Sequence, residues 1–77
     1  MPRLPVLSGR ELVKLLSRTG LQVIDQKGSH IILQKFVGGK KLLVVVPNYP
    51  EVKIGTLLSI MKQAHLNRQG LETLMKK

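Results

Sequence analysis

Residues that can face a hydrophobic core recur at helical spacing near the start of the chain. They form one stripe of four positions, Leu12, Leu15, Leu16 and Thr19. This period predicts an amphipathic helix over residues 9–18. Ser8 and Glu11 have the spacing of a capping box at its start, and Gly20 lies where a left-handed C-terminal cap is expected.

Two further helices are predicted in the second half of the chain. Gly55 or Thr56 opens or caps the second helix, and Lys53 lies outside its apolar stripe. That stripe consists of Leu57, Ile60, Met61 and Ala64. Asn67 is expected to cap a last short helix over residues 68–76. This helix is expected to dock three apolar residues, Leu71, Leu74 and Met75.

Three strands are predicted between the first two helices. They cover residues 21–25, 30–36 and 41–46, which are rich in apolar and β-branched side chains. The connecting turns are expected at residues 25–28 and at Gly38-Gly39. The chain is therefore predicted to be α+β, in the order helix, three strands, helix and short helix.

The third predicted strand is apolar throughout. Residues 42–46 show no alternation of polar and apolar side chains, so both faces of this strand are expected to be covered. Helices would cover one face. The other face would be covered either if this strand were central in the sheet or if a partner chain packed on it.

The second predicted strand begins with a histidine, His30. Side chains alternate between the two faces of a strand. His30 therefore shares a face with Ile32, Gln34 and Phe36, opposite Ile31, Leu33 and Lys35. Because it stands at the start of the strand, His30 is expected to face solvent or a groove, with a buried structural histidine as the alternative.

Composition narrows the choice of partners. The 77 residues suffice for one domain over residues 1–77, in which a deep pocket is not expected. The chain carries 13 Lys and Arg against 4 Asp and Glu, a net charge of +9. This excess favours nucleic acid, an acidic protein or an anionic membrane surface. Phe36 and Tyr49 are the only aromatic residues, so RNA would be bound mainly through its backbone.

The cysteine content, the length of the apolar runs and the first residues of the chain indicate its compartment and solubility. The sequence contains no cysteine, which excludes disulfides and thiolate metal sites. No apolar run approaches the ~20 residues of a membrane span. Residues 1–7 hold two prolines and are expected to form an extended lead-in rather than a signal peptide. We therefore expect a cytoplasmic protein without membrane association.

Cations are concentrated on the first helix. Arg10, Lys14 and Arg18 recur every four residues and form what we call the cationic ridge. The ridge is either a contact surface for RNA phosphates or an acidic partner, or an ordinary solvated face. Lys53 lies near the predicted start of the second helix. The free amides there either bind an anion with the help of Lys53, or the helix starts like any other and binds no ligand.

The tetrapeptide Lys27-Gly28-Ser29-His30 combines a cation, a flexible glycine, a hydroxyl and an imidazole in four consecutive residues. His30 and the distant His65 lack the cysteines and carboxylates of a metal shell, and no nucleotide-binding glycine motif is present, so no metal or cofactor is expected. Metal-free RNA cleavage fits these residues, because RNA supplies its own nucleophile, the 2′-hydroxyl. His30 would be the acid/base, while Lys27, the Gly28 and Ser29 amides and the Ser29 hydroxyl would bind phosphate.

The surroundings of this tetrapeptide resemble HicA, the toxin family of HicA/HicB toxin–antitoxin systems, over about residues 8–68. The resemblance is carried by Leu12-Val13-Lys14-Leu15-Leu16, Gly20, Lys27-Gly28-Ser29-His30, Val46-Pro47, Gly55-Thr56-Leu57 and Ile60-Met61-Lys62-Gln63-Ala64. It implies a fold similar to the double-stranded RNA-binding domain, with a three-stranded antiparallel sheet and helices on one face. It also implies mRNA cleavage that depends on His30, growth arrest, and neutralisation by an acidic HicB-like antitoxin that covers the active surface.

Two positions depart from the pattern of this family. Many relatives have a histidine two residues after the strand-ending proline, where this chain has Tyr49. Relatives commonly have Gln-Ala-Gly where this chain has Gln63-Ala64-His65. An auxiliary role at Tyr49 is therefore left open, and His65 is interpreted as a helix-end residue favoured by the helix dipole.

Three hypotheses follow from the sequence. The first is a metal-independent endoribonuclease toxin that uses His30 and exists as a free monomer or weak dimer. The second is a non-catalytic RNA-binding module of the same fold, in which Lys27 and the cationic ridge position phosphates. The third is a protein-interaction role, in which an acidic partner binds and RNA does not.

Overall fold

The computed structural model describes residues 5–76. Its elements are α1 (Gly9–Ser17), β1 (Gln22–Lys27), β2 (His30–Val37), β3 (Lys40–Pro47), α2 (Ile54–Gln63) and α3 (Arg68–Met75). The predicted α+β class and element order are confirmed, and the order of α1 to α2 is that of the double-stranded RNA-binding domain. The predicted lead-in falls partly outside the described residues, at residues 1–4, as does Lys77.

The start of α1 forms as its sequence predicts. The Glu11 N–H donates to the Ser8 hydroxyl at 3.1 Å, and the Ser8 N–H donates to the Glu11 carboxylate at 2.9 Å. Both halves of the capping box are therefore present, and they satisfy amide donors that the first helical turn leaves free. Beyond the helix, Gly20 has a φ of 99°, the left-handed conformation expected at this position.

The sheet is antiparallel with strand order β1-β2-β3. The central position considered for β3 is wrong, because two successive hairpins place the middle strand in the centre and the third at an edge. The edge is partly blocked by α2, since the side-chain oxygen of Gln63 accepts a hydrogen bond from the Val45 N–H at 3.1 Å. Pro47 ends β3 and lacks an amide donor.

The first turn lies later than predicted. β1 continues to Lys27, which pairs with His30, so the turn consists of Gly28 and Ser29 rather than residues 25–28. A register shift between Val23 and Asp25 places an extra residue in β1. This bulge lets the strand continue through polar residues that otherwise favour a turn.

The hydrophobic core lies between the helices and one face of the sheet. It contains Leu12 and Leu16 of α1, Ile31 and Leu33 of β2, Val44 and Val46 of β3, Leu57 and Ile60 of α2, and Leu71 of α3. Each buried leucine or isoleucine of this kind contributes roughly 1.5–3 kcal/mol relative to an exposed one. The helices are thus fixed on a single face of the sheet.

The opposite face, which we call the outer face, stays open in this chain. Phe36, Leu43 and Val45 on it are 66%, 47% and 38% exposed. Within the described residues one face of β3 is covered by the helices and the other is not, so of the two alternatives only a partner chain on the outer face stays a prediction. Edge strands of antiparallel sheets commonly bury one face alone.

The last two helices differ slightly from prediction. α2 begins at Ile54 and has Lys53 at its N-cap without a side-chain capping bond, so the predicted start at Gly55 or Thr56 is too late. α3 is capped as predicted, because the Gly70 N–H donates to the Asn67 side chain at 2.7 Å. Leu71 is buried, but Met75 is 41% exposed and does not dock as expected.

We predict that Gly9→Ala destabilises the fold. A Cβ at Gly9 would lie 2.8 Å from the Asn48 Cα and closer still to the Pro47 carbonyl oxygen. Overpacking against backbone of this kind costs roughly 1–3 kcal/mol, which urea unfolding followed by circular dichroism measures. The matched control is Gly55→Ala in the first turn of α2, where a Cβ meets nothing within 4 Å. Equal stability of the two variants would contradict the prediction.

Candidate functional site

The hairpin turn between β1 and β2 brings the predicted tetrapeptide together. Lys27 and His30 are cross-strand partners, and Gly28 and Ser29 span the turn between them. Gly28 has a φ of 58°, which a side chain would disfavour. All four residues are exposed, so their polar groups are open to a ligand from solution.

His30 faces solvent from the start of the central strand. Its register partners are Lys27 on β1 and Pro47 on β3. Ile31, the next residue, is buried in the core, so the imidazole belongs to the outer face, as the alternation predicts. The alternative of a buried structural histidine is excluded, because His30 is exposed.

The loop after β3 is tied to this turn and to α1. The Asn48 N–H donates to the Ser29 carbonyl, and the Gly9 N–H donates to the Tyr49 carbonyl at 2.9 Å. Leu7 and Val52 form an isolated antiparallel bridge, with the Val52 N–H donating to the Leu7 carbonyl at 2.8 Å. The starts of α1 and α2 are thereby held at the end of the sheet that carries His30.

Two of these contacts were not identified from the sequence. Gly9 is required because α1 starts in direct contact with the backbone of Pro47 and Asn48. Its signal in the sequence is a glycine directly after a capping serine, where a helix itself has no need of glycine. The amide of Asn48 gives no signal, because any residue except proline can supply it.

Cations and helix starts occur at this end of the sheet, beside the acidic residues Glu11 and Glu51. The N-terminus of each helix carries a partial positive charge from aligned peptide dipoles. Lys53 is the N-cap residue of α2, Arg10 lies in the first turn of α1, and Lys27 lies beside the hairpin turn. An RNA phosphate near His30 would therefore meet side-chain cations and helix termini together.

The cationic ridge does not act as one surface with His30. Arg10 lies beside Asn48 and Tyr49, whereas the Arg18 guanidinium donates to the Leu74 carbonyl at the end of α3 at 2.7 Å. Thr19, which follows Arg18, accepts a hydrogen bond from Lys35 at 3.0 Å. Lys35 lies five residues, about 17 Å of strand, from His30 along β2. The Arg18 end of the ridge therefore lies towards the other end of the sheet from His30.

Three further features of the described residues bear on function: possible metal ligands, possible membrane spans and His65. Within residues 5–76, no group of three or more His, Cys, Asp or Glu side chains could hold a metal ion. None of the helices described above is long and apolar enough to cross a membrane. His65 follows the C-cap of α2 with a φ of 54°, which agrees with its interpretation as a helix-end residue.

Comparison with known proteins agrees with the resemblance stated above. Residues 9–66 match the family model described as the HicA toxin of bacterial toxin–antitoxin. The match contains all of α1, the sheet and α2, and it ends before α3. No curated protein and no solved structure matches the chain.

We predict that Arg18→Ala loosens α3. The substitution removes a charged donor from the last turn of that helix, where a cation also complements the dipole. We expect a loss of about 1 kcal/mol in unfolding free energy and faster amide hydrogen exchange in α3. Lys14→Ala is the control, because it removes the same charge from the same helix face. Equal exchange rates in the two variants would contradict the role assigned to Arg18.

Proposed function

Because the chain belongs to the HicA toxin family of bacterial toxin–antitoxin systems, we propose that it is a metal-independent endoribonuclease that cleaves mRNA. The observation that carries this function is the exposed His30 at a cationic hairpin turn. An imidazole is suited to proton exchange with RNA, because it gains and loses a proton near neutral pH.

The chemistry requires little from the protein. The 2′-oxygen of a ribose forms a bond to the adjacent phosphorus while the bond from phosphorus to the 5′-oxygen of the next nucleotide breaks. The products are a 2′,3′-cyclic phosphate and a 5′-hydroxyl. The 2′-hydroxyl loses one proton and the 5′-oxygen gains one. Both transfers can pass through the His30 imidazole, which acts as the acid/base.

Charge that builds up on the phosphate is stabilised by groups around the turn. Lys27, the amides of Gly28 and Ser29 and the Ser29 hydroxyl stand next to His30 in the chain and in the hairpin. Arg10 and Lys53 belong to helix starts at the same end of the sheet. Hydrogen-bond donors and cations placed where negative charge develops stabilise the transition state. Arg18 and Lys14 contribute less to RNA binding than Arg10 does, because they lie towards α3.

The regulatory partner is an acidic HicB-like antitoxin that covers the active surface. A net charge of +9 favours an acidic partner, and the exposed apolar side chains of the outer face supply area for contact. The same charge opposes self-association, so the free protein is a monomer or weak dimer. Released toxin acts in the cytoplasm, degrades messages and arrests growth as a stress response.

We predict that His30→Asn abolishes RNA cleavage. Wild-type protein is expected to cut RNA in EDTA, and loss of the imidazole should lower the rate at least ~100-fold without altering the circular dichroism spectrum or RNA affinity. His65→Asn is the matched control, since asparagine tolerates the left-handed backbone at that position.

Two results would contradict this mechanism. Continued cleavage by the His30 variant would remove the imidazole from the reaction. Tight, salt-dependent RNA binding by the wild-type protein without scission would instead support the non-catalytic RNA-binding module.

We also predict that Lys27→Gln slows cleavage about tenfold or more, because a cation beside the reacting phosphate is lost. Lys40→Gln removes the same charge from the start of β3, where Lys40 pairs with Val37 at the opposite end of the sheet. Single-turnover rates at saturating protein separate this effect from binding. A similar loss in both variants would mean that overall charge, and not position, matters.

A further inference from the structure

A cleft lies between the start of α1 and the loop after β3, beside the hairpin turn. It is lined by Ser8, Arg10, Asn48, Tyr49 and Pro50. The Tyr49 side chain is 48% exposed, although its backbone is firmly held. Its carbonyl accepts the Gly9 N–H at 2.9 Å, and Pro50 restricts the chain next to it. The cleft therefore presents an aromatic ring from a fixed backbone.

The cleft adjoins the candidate catalytic turn. Pro47 is the register partner of His30, and Tyr49 follows it by two residues, which is at most about 7 Å of chain. The Asn48 N–H joins this loop directly to the Ser29 carbonyl. A short stretch of RNA can therefore contact His30 and Tyr49 at once.

The side chain of Tyr49 is not explained by packing. The buried core of the described residues does not include it, and no hydrogen bond of its hydroxyl is found among them. Phe36, the other aromatic residue, pairs with Lys41 near the far hairpin. Tyr49 is thus the aromatic ring at the His30 end of the sheet.

We propose that this cleft is a nucleotide subsite in which a base next to the cleaved linkage stacks on the Tyr49 ring while Arg10 contacts its phosphate. The subsite rests on the proposed ribonuclease function. Stacking on an aromatic ring tolerates any base, because every base has a π face. The expected ligand is single-stranded RNA, whose bases are free to leave their neighbours.

The composition of the chain makes a direct test available. Tyr49 is the only tyrosine and there is no tryptophan, so tyrosine fluorescence reports on this residue alone. The His30→Asn variant, which leaves RNA intact, is titrated with a single-stranded RNA oligonucleotide, and binding is followed independently by anisotropy of a labelled copy. We expect quenching of tyrosine emission with the same midpoint as binding. Inorganic polyphosphate, which has charge and no bases, should bind without quenching.

Variants of Tyr49 provide the second measurement. Tyr49→Leu should weaken RNA binding about tenfold, while Tyr49→Phe, which keeps a stacking ring, should bind like the parent. Circular dichroism shows whether each variant is folded. Unchanged emission at saturating RNA, or equal affinity of the leucine and phenylalanine variants, would overturn the subsite.

The two proposals fail separately. Cleavage by wild-type protein combined with unquenched Tyr49 would remove the subsite and leave the ribonuclease. Quenching by RNA combined with no cleavage by wild-type protein would keep base stacking on Tyr49 as an RNA-binding contact and remove the ribonuclease.

Discussion

The contact between the start of α1 and the loop after β3 determines where the chemistry of this protein can be. Gly9 lets α1 start against the backbone of Pro47 and Asn48, and its N–H fixes the Tyr49 carbonyl. The Asn48 amide then fixes the Ser29 carbonyl. Through this short series of backbone contacts, a helix, a loop and a hairpin turn that are distant in sequence become one surface.

That surface explains how one helix can carry cations with different roles. The first turn of α1 is held at the His30 end of the sheet, whereas Arg18, one residue beyond its last turn, is bonded to the Leu74 carbonyl of α3. α3 lies beyond the residues that match the family model. Part of the cationic ridge therefore holds α3 in place, whereas Lys27 beside Gly28 and Ser29 is exposed and is the cation assigned to RNA in the proposed function.

The sequence predicted most elements because local signals were strong. The Ser8–Glu11 capping box and the Asn67 cap each act within three residues, and both form as expected. Alternation correctly placed His30 on the face opposite Ile31. The errors came from pairing between segments: the bulge that moves the first turn to Gly28 depends on partners in β2, which no local pattern in β1 specifies.

The candidate site was predictable in its chemistry and not in its assembly. A histidine after a lysine, a glycine and a serine can be recognised from residue types alone, but the role of Gly9 follows only from a contact made across the fold. The position of β3 in the sheet stayed open because Leu43 and Val45 are apolar although they face outward. Apolar composition indicates burial only on average, and Leu43 and Val45 depart from that average within this chain.

A protein this small can support the proposed active site because the residues of that site and the core hardly overlap. The core consists of apolar side chains, and within the described residues no buried polar or charged residue is found. Lys27, Ser29 and His30 are exposed, so they contribute little to folding stability and can be replaced without opening a cavity. In the proposed reaction RNA brings the nucleophile, and the surface has only to provide an imidazole that transfers protons and positive charge. No deep pocket is needed, so a three-stranded sheet with a well-anchored hairpin turn is a sufficient scaffold.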